Sequence, residues 1–195
     1  AGEREAGRGA PFAVINPATG RAIAEVTAAD SDQADRAVES ARQAFNQWRE
    51  MPTLARGTLL LKLADALAEH REALAQLESL CSGKTITLAR MLELDQSVAF
   101  LRYFAGWAGK VTGETLNVSL PSMAGEKYTA FTRRQPLGVV VGIVPWNFSI
   151  MIAVWKLAAA LVCGCTIVLK PSEYTPLTLL RVAELAKAVG IPDGV

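Results

Sequence analysis

The sequence contains few of the residues that metal sites and disulfide frameworks require. Its 195 residues include one histidine, His70, and three cysteines, Cys81, Cys163 and Cys165. A single histidine leaves no His/Cys cluster for zinc. The number of cysteines is odd, and Cys163 and Cys165 are too close in sequence for a structural disulfide framework. Reduced thiols in a cytoplasmic compartment are therefore the simplest interpretation.

The chain also lacks an excess of charge and an uninterrupted hydrophobic run. Lys and Arg number 20 against 19 Asp and Glu, which gives a formal net charge of +1. Such a balance produces no field that attracts nucleic acid or an acidic membrane surface. The apolar region 137–169 is broken by Pro145, Asn147 and Lys156, so no segment reaches the ~20 residues of a membrane helix. We predict neither nucleic acid nor a membrane as a partner.

Two short β-branched segments, each followed by a polar turn, are the most informative feature that is present. Residues 137–144 read LGVVVGIV and lead into PWNF at 145–148, and residues 166–169 read TIVL and lead into KPSE at 170–173. Both segments are apolar without alternation, which predicts strands buried on both faces of a parallel sheet.

A long apolar stretch, residues 150–163, connects these two predicted strands and is interrupted only by Lys156. It is too long for a strand, so the unit reads as strand, helix and strand. A right-handed crossover brings the carboxyl ends of both strands to one edge of the sheet, where open α/β sheets bind ligands. We therefore expect Asn147, Lys170 and Glu173 to converge on one crevice.

Helical spacing dominates the first half of the chain. Four helices are predicted, beginning at Asp30 or Ser31, after Pro52, near residue 71 and near residue 87, and Gly83 ends the third of them.

A change of pattern follows from residue 111. The alternating segments 116–120 and 128–133 predict an antiparallel excursion. After the second strand of the apolar unit, we expect Thr175 to cap a last helix that has Pro176 in its first position and closes at Gly190.

Several motifs, all in the family's order, resemble those of the aldehyde dehydrogenase superfamily. The strongest are PWNF at 145–148, Trp155-Lys156 and KPSE at 170–173. Further agreements are INPATG at 15–20, GK at 83–84, YFAG at 103–106 and RQPLGVV at 134–140. Within the superfamily, the segments 77–80, 143–146 and 178–184 are most similar to those of phenylacetaldehyde dehydrogenases.

This resemblance implies an α/β fold, namely part of a Rossmann-like parallel-sheet NAD-binding domain with N-terminal helices and a β-hairpin excursion used in oligomerisation. The implied divisions are 1–110 for the helical part, 111–136 for the excursion and 137–195 for the first βαβα part. Family members are more than twice as long, so we expect an N-terminal portion that is inactive alone. The nucleophilic cysteine and the general-base glutamate are expected beyond residue 195. NAD, a small aldehyde of the arylalkyl type and a homo-oligomer, dimer or tetramer, are the implied cofactor, substrate and assembly.

Two catalytic residues are implied by the resemblance. The side-chain N–H of Asn147 donates to the oxyanion that forms when a thiolate attacks the aldehyde carbonyl, whereas the structural alternative is an amide that satisfies turn backbone groups. Lys156 belongs to a proton relay or organises the site. As the only charge in an apolar helix it requires an acceptor. The structural alternatives are a lysine that extends its ammonium to solvent at a helix end and one that pairs with a structural carboxylate.

The cofactor-binding and substrate residues follow from the same resemblance. The cofactor contacts are predicted at Val144, Pro145, Trp146, Lys170, Pro171, Ser172 and Glu173. Because a carboxylate accepts from a free 2′-hydroxyl and repels a 2′-phosphate, Glu173 favours NAD over NADP. The aldehyde tunnel is predicted at Phe148, Ile152 and Trp155, for which a core stripe is the alternative.

The remaining predictions concern a cation and the cysteines. By resemblance, the backbone of Val14 and Ile15 and the carboxylate of Glu93 hold a monovalent cation. Cys163 and Cys165 are expected to pack in the interior, and Ser149 stands where the family commonly has proline. Two other functions stay open: a non-catalytic nucleotide-binding or assembly module, and a thiol enzyme that uses Cys163 or Cys165.

Overall fold

The computed structural model describes residues 4–119, 125 and 127–195, which form an α/β arrangement. Its elements follow in chain order. They are β1 (Pro11–Asn16), β2 (Arg21–Thr27), α1 (Ser31–Glu50), α2 (Thr53–Glu69), α3 (Arg71–Ser82), α4 (Ile86–Leu88), a π-helical segment (Ala89–Asp95), α5 (Gln96–Ala105), β3 (Thr115–Leu116), β4 (Ala130–Phe131), β5 (Val139–Ile143), α6 (Ser149–Val162), β6 (Thr166–Lys170) and α7 (Leu177–Ala188).

The parallel unit predicted from the sequence is confirmed. Strand β5 pairs with β6 in parallel, from Val139 opposite Thr166 to Ile143 opposite Lys170, with α6 as the crossover. The prediction that β5 is buried on both faces is wrong, because Val141 is 58% exposed and Ile143 is 68% exposed. On the other face of β5, Val140 packs against the hydrophobic core and Gly142 is buried.

The hydrophobic core lies between the sheet and the helices. Helix α5 packs against α2 and α6, and α1 contacts both strands of the parallel sheet. The fully buried side chains include Trp48, Leu60, Leu63, Leu67, Leu74, Leu94, Leu101, Ile150 and Leu161. Trp48 also ties α1 to the end of α6, since its indole N–H donates to the Leu161 carbonyl at 3.1 Å. The central helix α6 is therefore fixed by apolar packing along its length and by a hydrogen bond near its last turn.

The helix ends follow the predictions with one exception. Asp30 caps α1 through a capping box with Gln33, and Gly83 ends α3 in the left-handed conformation. The exception is the start of the last helix, where the predictions that Thr175 is the cap and that Pro176 is the first helical residue are both wrong. Pro176 takes the cap position of α7 and Leu177 begins the helix, whereas the buried Thr175 hydroxyl donates to the Trp146 carbonyl at 3.5 Å.

Two antiparallel pairs lie outside the core. Sequence reasoning missed the first, β1 with β2, whose turn is closed by a hydrogen bond from the Gly20 N–H to the Asn16 carbonyl at 2.8 Å. Strands β3 and β4 form the predicted excursion but pair over only two residues each. Residue 120 of the predicted segment 116–120 lies outside the described residues.

No described helix combines the length and the apolar character needed to cross a membrane.

Gly83 supplies a first test of the fold. Its φ is 75°, and a Cβ added there would lie 2.6 Å from Cγ of Pro17 in the β1–β2 turn. Gly20 has a similar φ of 68° with nothing within 4 Å of an added Cβ. We expect Gly20→Ala to cost about 1–2 kcal/mol of unfolding free energy from backbone strain. Gly83→Ala should cost at least about 1 kcal/mol more because of the additional clash.

The measurement is chemical denaturation of both variants beside the wild type. Equal losses would show that the β1–β2 turn does not pack on the end of α3.

Candidate functional site

The two polar turns that follow β5 and β6 lie side by side, as the sequence predicted. The Val144 N–H donates to the Lys170 carbonyl at 3.0 Å, which continues the strand pairing by one residue. The hydrogen bond from Thr175 to the Trp146 carbonyl then joins the second turn to the first. Both turns leave the carboxyl edge of the sheet, where α/β folds bind ligands.

The second turn presents an ion pair to solvent. Lys170 Nζ lies 3.5 Å from Glu173 Oε2, and the two side chains are 62% and 60% exposed. A hydrogen bond from its own backbone N–H and the charge of Lys170 lower the pKa of Glu173. Ser172 is buried and accepts from the Tyr174 N–H at 3.3 Å, so it shapes the turn. An ionised acceptor beside an ammonium donor fits two neighbouring hydroxyls of a ribose.

The first turn exposes Asn147. Within the described part of the chain, its side-chain amide makes no hydrogen bond. Its main-chain carbonyl accepts from Lys84 Nζ at 2.9 Å. The neighbouring Trp146 is 54% exposed. The amide is thus available to a ligand, whereas the backbone that carries it is held.

The start of α6 lacks a cap of its own, because the residue at the cap position is Phe148. A carboxylate from another helical segment takes that place, and a second one binds the side chain of the first helical residue. The Met151 N–H donates to Glu93 Oε2 at 3.0 Å, and the Ser149 hydroxyl donates to Glu78 Oε1 at 2.6 Å. Negative charge is favourable at a helix N-terminus, where the first N–H groups have no partner within the helix.

Lys84 joins these two carboxylates. Its ammonium donates to Glu78 Oε1 at 3.2 Å and to Glu93 Oε1. Both carboxylates are fully buried, and Lys84 is 12% exposed. We refer to Glu78, Lys84 and Glu93 as the anchoring cluster. Helix α7 also binds this cluster, since the Thr178 hydroxyl donates to Glu78 Oε2 at 2.7 Å.

Burial and the negative charge of Glu78 raise the pKa of Glu93, against hydrogen bonds from Lys84 and the Met151 N–H that lower it. The prediction that Val14, Ile15 and Glu93 hold a monovalent cation stays a prediction. The structure adds that protein donors engage both oxygens of the Glu93 carboxylate.

Glu78 and Lys84 lie within motifs of the sequence, but the motifs predicted no role for them. A signal was present, because Glu78 lies four residues after Leu74 and three before Cys81, both of which are buried in α3. A carboxylate on the apolar face of a helix requires partners. The spacing alone did not name those partners.

The expected acceptor for Lys156 is absent among the described residues, and the side chain is exposed. Its stem crosses the strand at Gly142, where an added Cβ would lie 3.3 Å from Lys156 Cδ. The ammonium therefore extends to solvent, as one of the structural alternatives proposed. Its catalytic role stays a prediction.

The three predicted tunnel residues have different neighbours. The Phe148 ring lies beneath Lys84, 5.0 Å from Nζ. Ile152 packs with Val144, Ala153 and Leu179. Trp155 is 40% exposed and its ring centroid lies 5.1 Å from that of Phe100. Their role as an aldehyde tunnel stays a prediction. The predicted cofactor contacts stay predictions too, at Val144, Pro145, Trp146, Lys170, Pro171, Ser172 and Glu173.

Comparison with known proteins identifies the family. The model of the aldehyde dehydrogenase family matches residues 4–195. The chain belongs to the aldehyde dehydrogenase family.

Individual relatives agree with this assignment. The chain is 50% identical over 183 residues to the phenylacetaldehyde dehydrogenase of Pseudomonas fluorescens, covering 93% of this chain and 36% of that protein. It is 46% identical over 190 residues to cytosolic aldehyde dehydrogenase 1 of Rattus norvegicus, covering 96% and 37% respectively. The NAD⁺ complex of an aldehyde dehydrogenase from Bacillus cereus superposes with a TM-score of 0.89 at 45% identity, covering 95% of this chain and 37% of that one.

These comparisons confirm the predicted family and the predicted α/β fold of its N-terminal NAD-binding region. The chain spans little more than a third of the length of these relatives.

None of the three cysteines has the surroundings of a nucleophile. Burial and the nearby charge of Glu78 raise the pKa of Cys81 from 9.0 to about 11. Partial desolvation of its thiol and the neighbouring Cys165 raise the pKa of Cys163, against the charge of Arg56, which lowers it. Cys165 packs in the core as predicted, but the prediction for Cys163 is wrong because it is exposed after the last turn of α6.

We expect slow alkylation of all three thiols at neutral pH. The thiolate is the reactive form, and for Cys81 the change from 9.0 to about 11 makes it about 100-fold less abundant than its ordinary pKa would. The rate for Cys81 should rise about tenfold per pH unit up to that pKa. The measurement is iodoacetamide labelling followed by mass spectrometry, with urea-unfolded protein as the control. A thiol that labels faster than free cysteine would contradict this expectation.

Proposed function

We propose that the chain is the N-terminal portion of an NAD-dependent aldehyde dehydrogenase that oxidises an arylalkyl aldehyde, such as phenylacetaldehyde, to the carboxylic acid. The observation that carries the proposal is the pair of adjacent turns at the edge of the β5–β6 sheet. One carries an amide without a hydrogen-bond partner among the described residues, and the other carries an exposed carboxylate and ammonium. The assignment of the substrate rests on the similarity to the Pseudomonas fluorescens protein.

In this proposal the residues of the chain bind the cofactor and polarise the carbonyl group of the substrate. Glu173 and Lys170 hold the ribose hydroxyls of NAD, which when bound accepts the hydride from the substrate carbon. The side-chain N–H of Asn147 donates to the oxygen that becomes negative when a cysteine thiolate adds to the aldehyde carbonyl. Hydride loss leaves a thioester, and water hydrolyses it to the acid and the free thiol.

The nucleophilic cysteine and the base are assigned to the remainder of the protein, because Cys81, Cys163 and Cys165 are unsuited to that role. Residues 1–195 by themselves are therefore proposed to be inactive, and the complete protein is proposed to be a homo-oligomer located in the cytoplasm.

Asn147→Ala in the full-length protein tests the oxyanion role. Loss of one preorganised donor should lower kcat by about 10²–10³-fold, with little effect on the affinity for NAD. The measurement is NADH formation from phenylacetaldehyde and NAD. Asn46→Ala, which alters an exposed asparagine of α1, is the matched control and should retain wild-type kcat. An Asn147→Ala variant that turns over like the wild type, or turnover by residues 1–195 alone, would refute the assignment.

Glu173→Gln tests the cofactor preference. The substitution removes the charge that repels a 2′-phosphate, so the ratio of kcat/KM for NAD to that for NADP should fall by at least about 10-fold. Glu184→Gln is the matched control, because Glu184 is also exposed and pairs with the cation three residues before it, Arg181. An unchanged ratio in Glu173→Gln would show that Glu173 does not face the adenosine ribose.

A further inference from the structure

The ammonium of Lys84 uses all three of its N–H donors on defined acceptors. Two are the carboxylates of Glu78 and Glu93, and the third is the main-chain carbonyl of Asn147 at 2.9 Å. A lysine has three donors and no acceptor, so this arrangement leaves none for water. The Phe148 ring lies across the same ammonium at 5.0 Å.

The two carboxylates cannot move independently of α6. Glu93 caps the helix through the Met151 N–H, and Glu78 accepts from the hydroxyl of Ser149, the first residue of the helix. The anchoring cluster is therefore connected to the chain on both sides of Phe148. Lys84 holds the residue before it, and the carboxylates hold the residues after it.

The side chain of Asn147 contrasts with this fixed backbone. It has no hydrogen-bond partner among residues 4–119, 125 and 127–195, so hydrogen bonds of its own do not set its direction. Hydrogen bonding therefore constrains the amide only through the position of the Asn147 main chain. That main chain makes one hydrogen bond within the described residues, the one from Lys84.

We propose that Lys84 is a positioning residue for aldehyde oxidation: clamped between Glu78 and Glu93, it holds the Asn147 carbonyl and so aims the Asn147 side-chain amide at the developing oxyanion. This inference rests on the proposed function. It assigns no contact between Lys84 and substrate or cofactor. The effect of Lys84 on the reaction passes through Asn147.

The consequence is a loss of rate that depends on Asn147. A displacement of about 1 Å at a reacting group can cost about 10²-fold in rate. We expect Lys84→Met in the full-length protein to lower kcat with phenylacetaldehyde and NAD by about 10–100-fold. The dissociation constant for NAD, measured by quenching of protein fluorescence, should stay within about threefold, since Lys84 does not belong to the second turn.

A double-mutant cycle distinguishes positioning from general stability. In an Asn147→Ala background there is no amide left to aim, so Lys84→Met should lower kcat by less than about threefold. A lysine that acts only on stability would lower kcat by the same factor in both backgrounds. Thr166→Val is the matched control, because it removes another side-chain hydrogen bond to a main-chain carbonyl, Ala41, at 2.9 Å. It should reduce the melting temperature and leave kcat unchanged.

A second variant covers the case in which Lys84→Met fails to fold. Lys84→Met leaves two buried carboxylates without their cation, whereas Lys84→Met combined with Glu93→Gln removes one charge of each sign and keeps an acceptor for the Met151 N–H. This variant should fold and show the same Asn147-dependent loss of kcat.

The positioning role would be overturned if Lys84→Met lowered kcat by the same factor with and without Asn147, or if a folded variant that lacks Lys84 kept wild-type kcat. Either result would leave the proposed function intact. Absence of aldehyde oxidation by the wild-type full-length protein would instead overturn the proposed function, and this inference with it.

Discussion

The parallel pairing of β5 with β6 determines where the chemistry of this chain lies. Two parallel strands joined by a helical crossover end at the same edge, so the residues that follow them become neighbours although 26 positions separate Asn147 from Glu173. The pairing continues beyond the last strand residue through Val144 and Lys170. An antiparallel pairing would have placed the amide and the carboxylate at opposite ends of the sheet.

A second constraint acts on the first turn from the side away from the sheet. Helix α6 begins directly after the first turn, and its cap position carries Phe148, whose side chain accepts no hydrogen bond. Glu93 of the π-helical segment accepts from the Met151 N–H and Glu78 of α3 accepts from the Ser149 hydroxyl, at the cost of burying two carboxyl groups. Lys84 offsets part of that cost and binds the turn. In this way the N-terminal helices, which contribute no group to the proposed cofactor contacts, help to set the geometry of the site.

The sequence allowed much of this to be predicted, because several of its signals are local. Helix boundaries followed from caps and apolar spacing, as at Asp30 and Gly83, and the strand–helix–strand unit followed from the length of its apolar runs. The β1–β2 pair was missed, although Asn16 and Gly20 mark its turn, because residues 15–20 were read only as a family motif. The burial of β5 was overestimated, since an apolar run shows that a strand favours cover without showing that any described element supplies it.

The sequence by itself determined the family, most of the helices and the β5–α6–β6 unit with its two polar turns, because motifs and periodicities are properties of contiguous residues. Only the tertiary structure decided which distant groups meet. Glu78, Lys84 and Glu93 come from separate segments, and nothing in their spacing shows that all three converge on the start of α6. The same holds for Lys156, whose ammonium reaches solvent because Gly142 leaves room for its stem. A charge in an apolar run predicts that a partner or an exit exists, and packing in three dimensions selects between them.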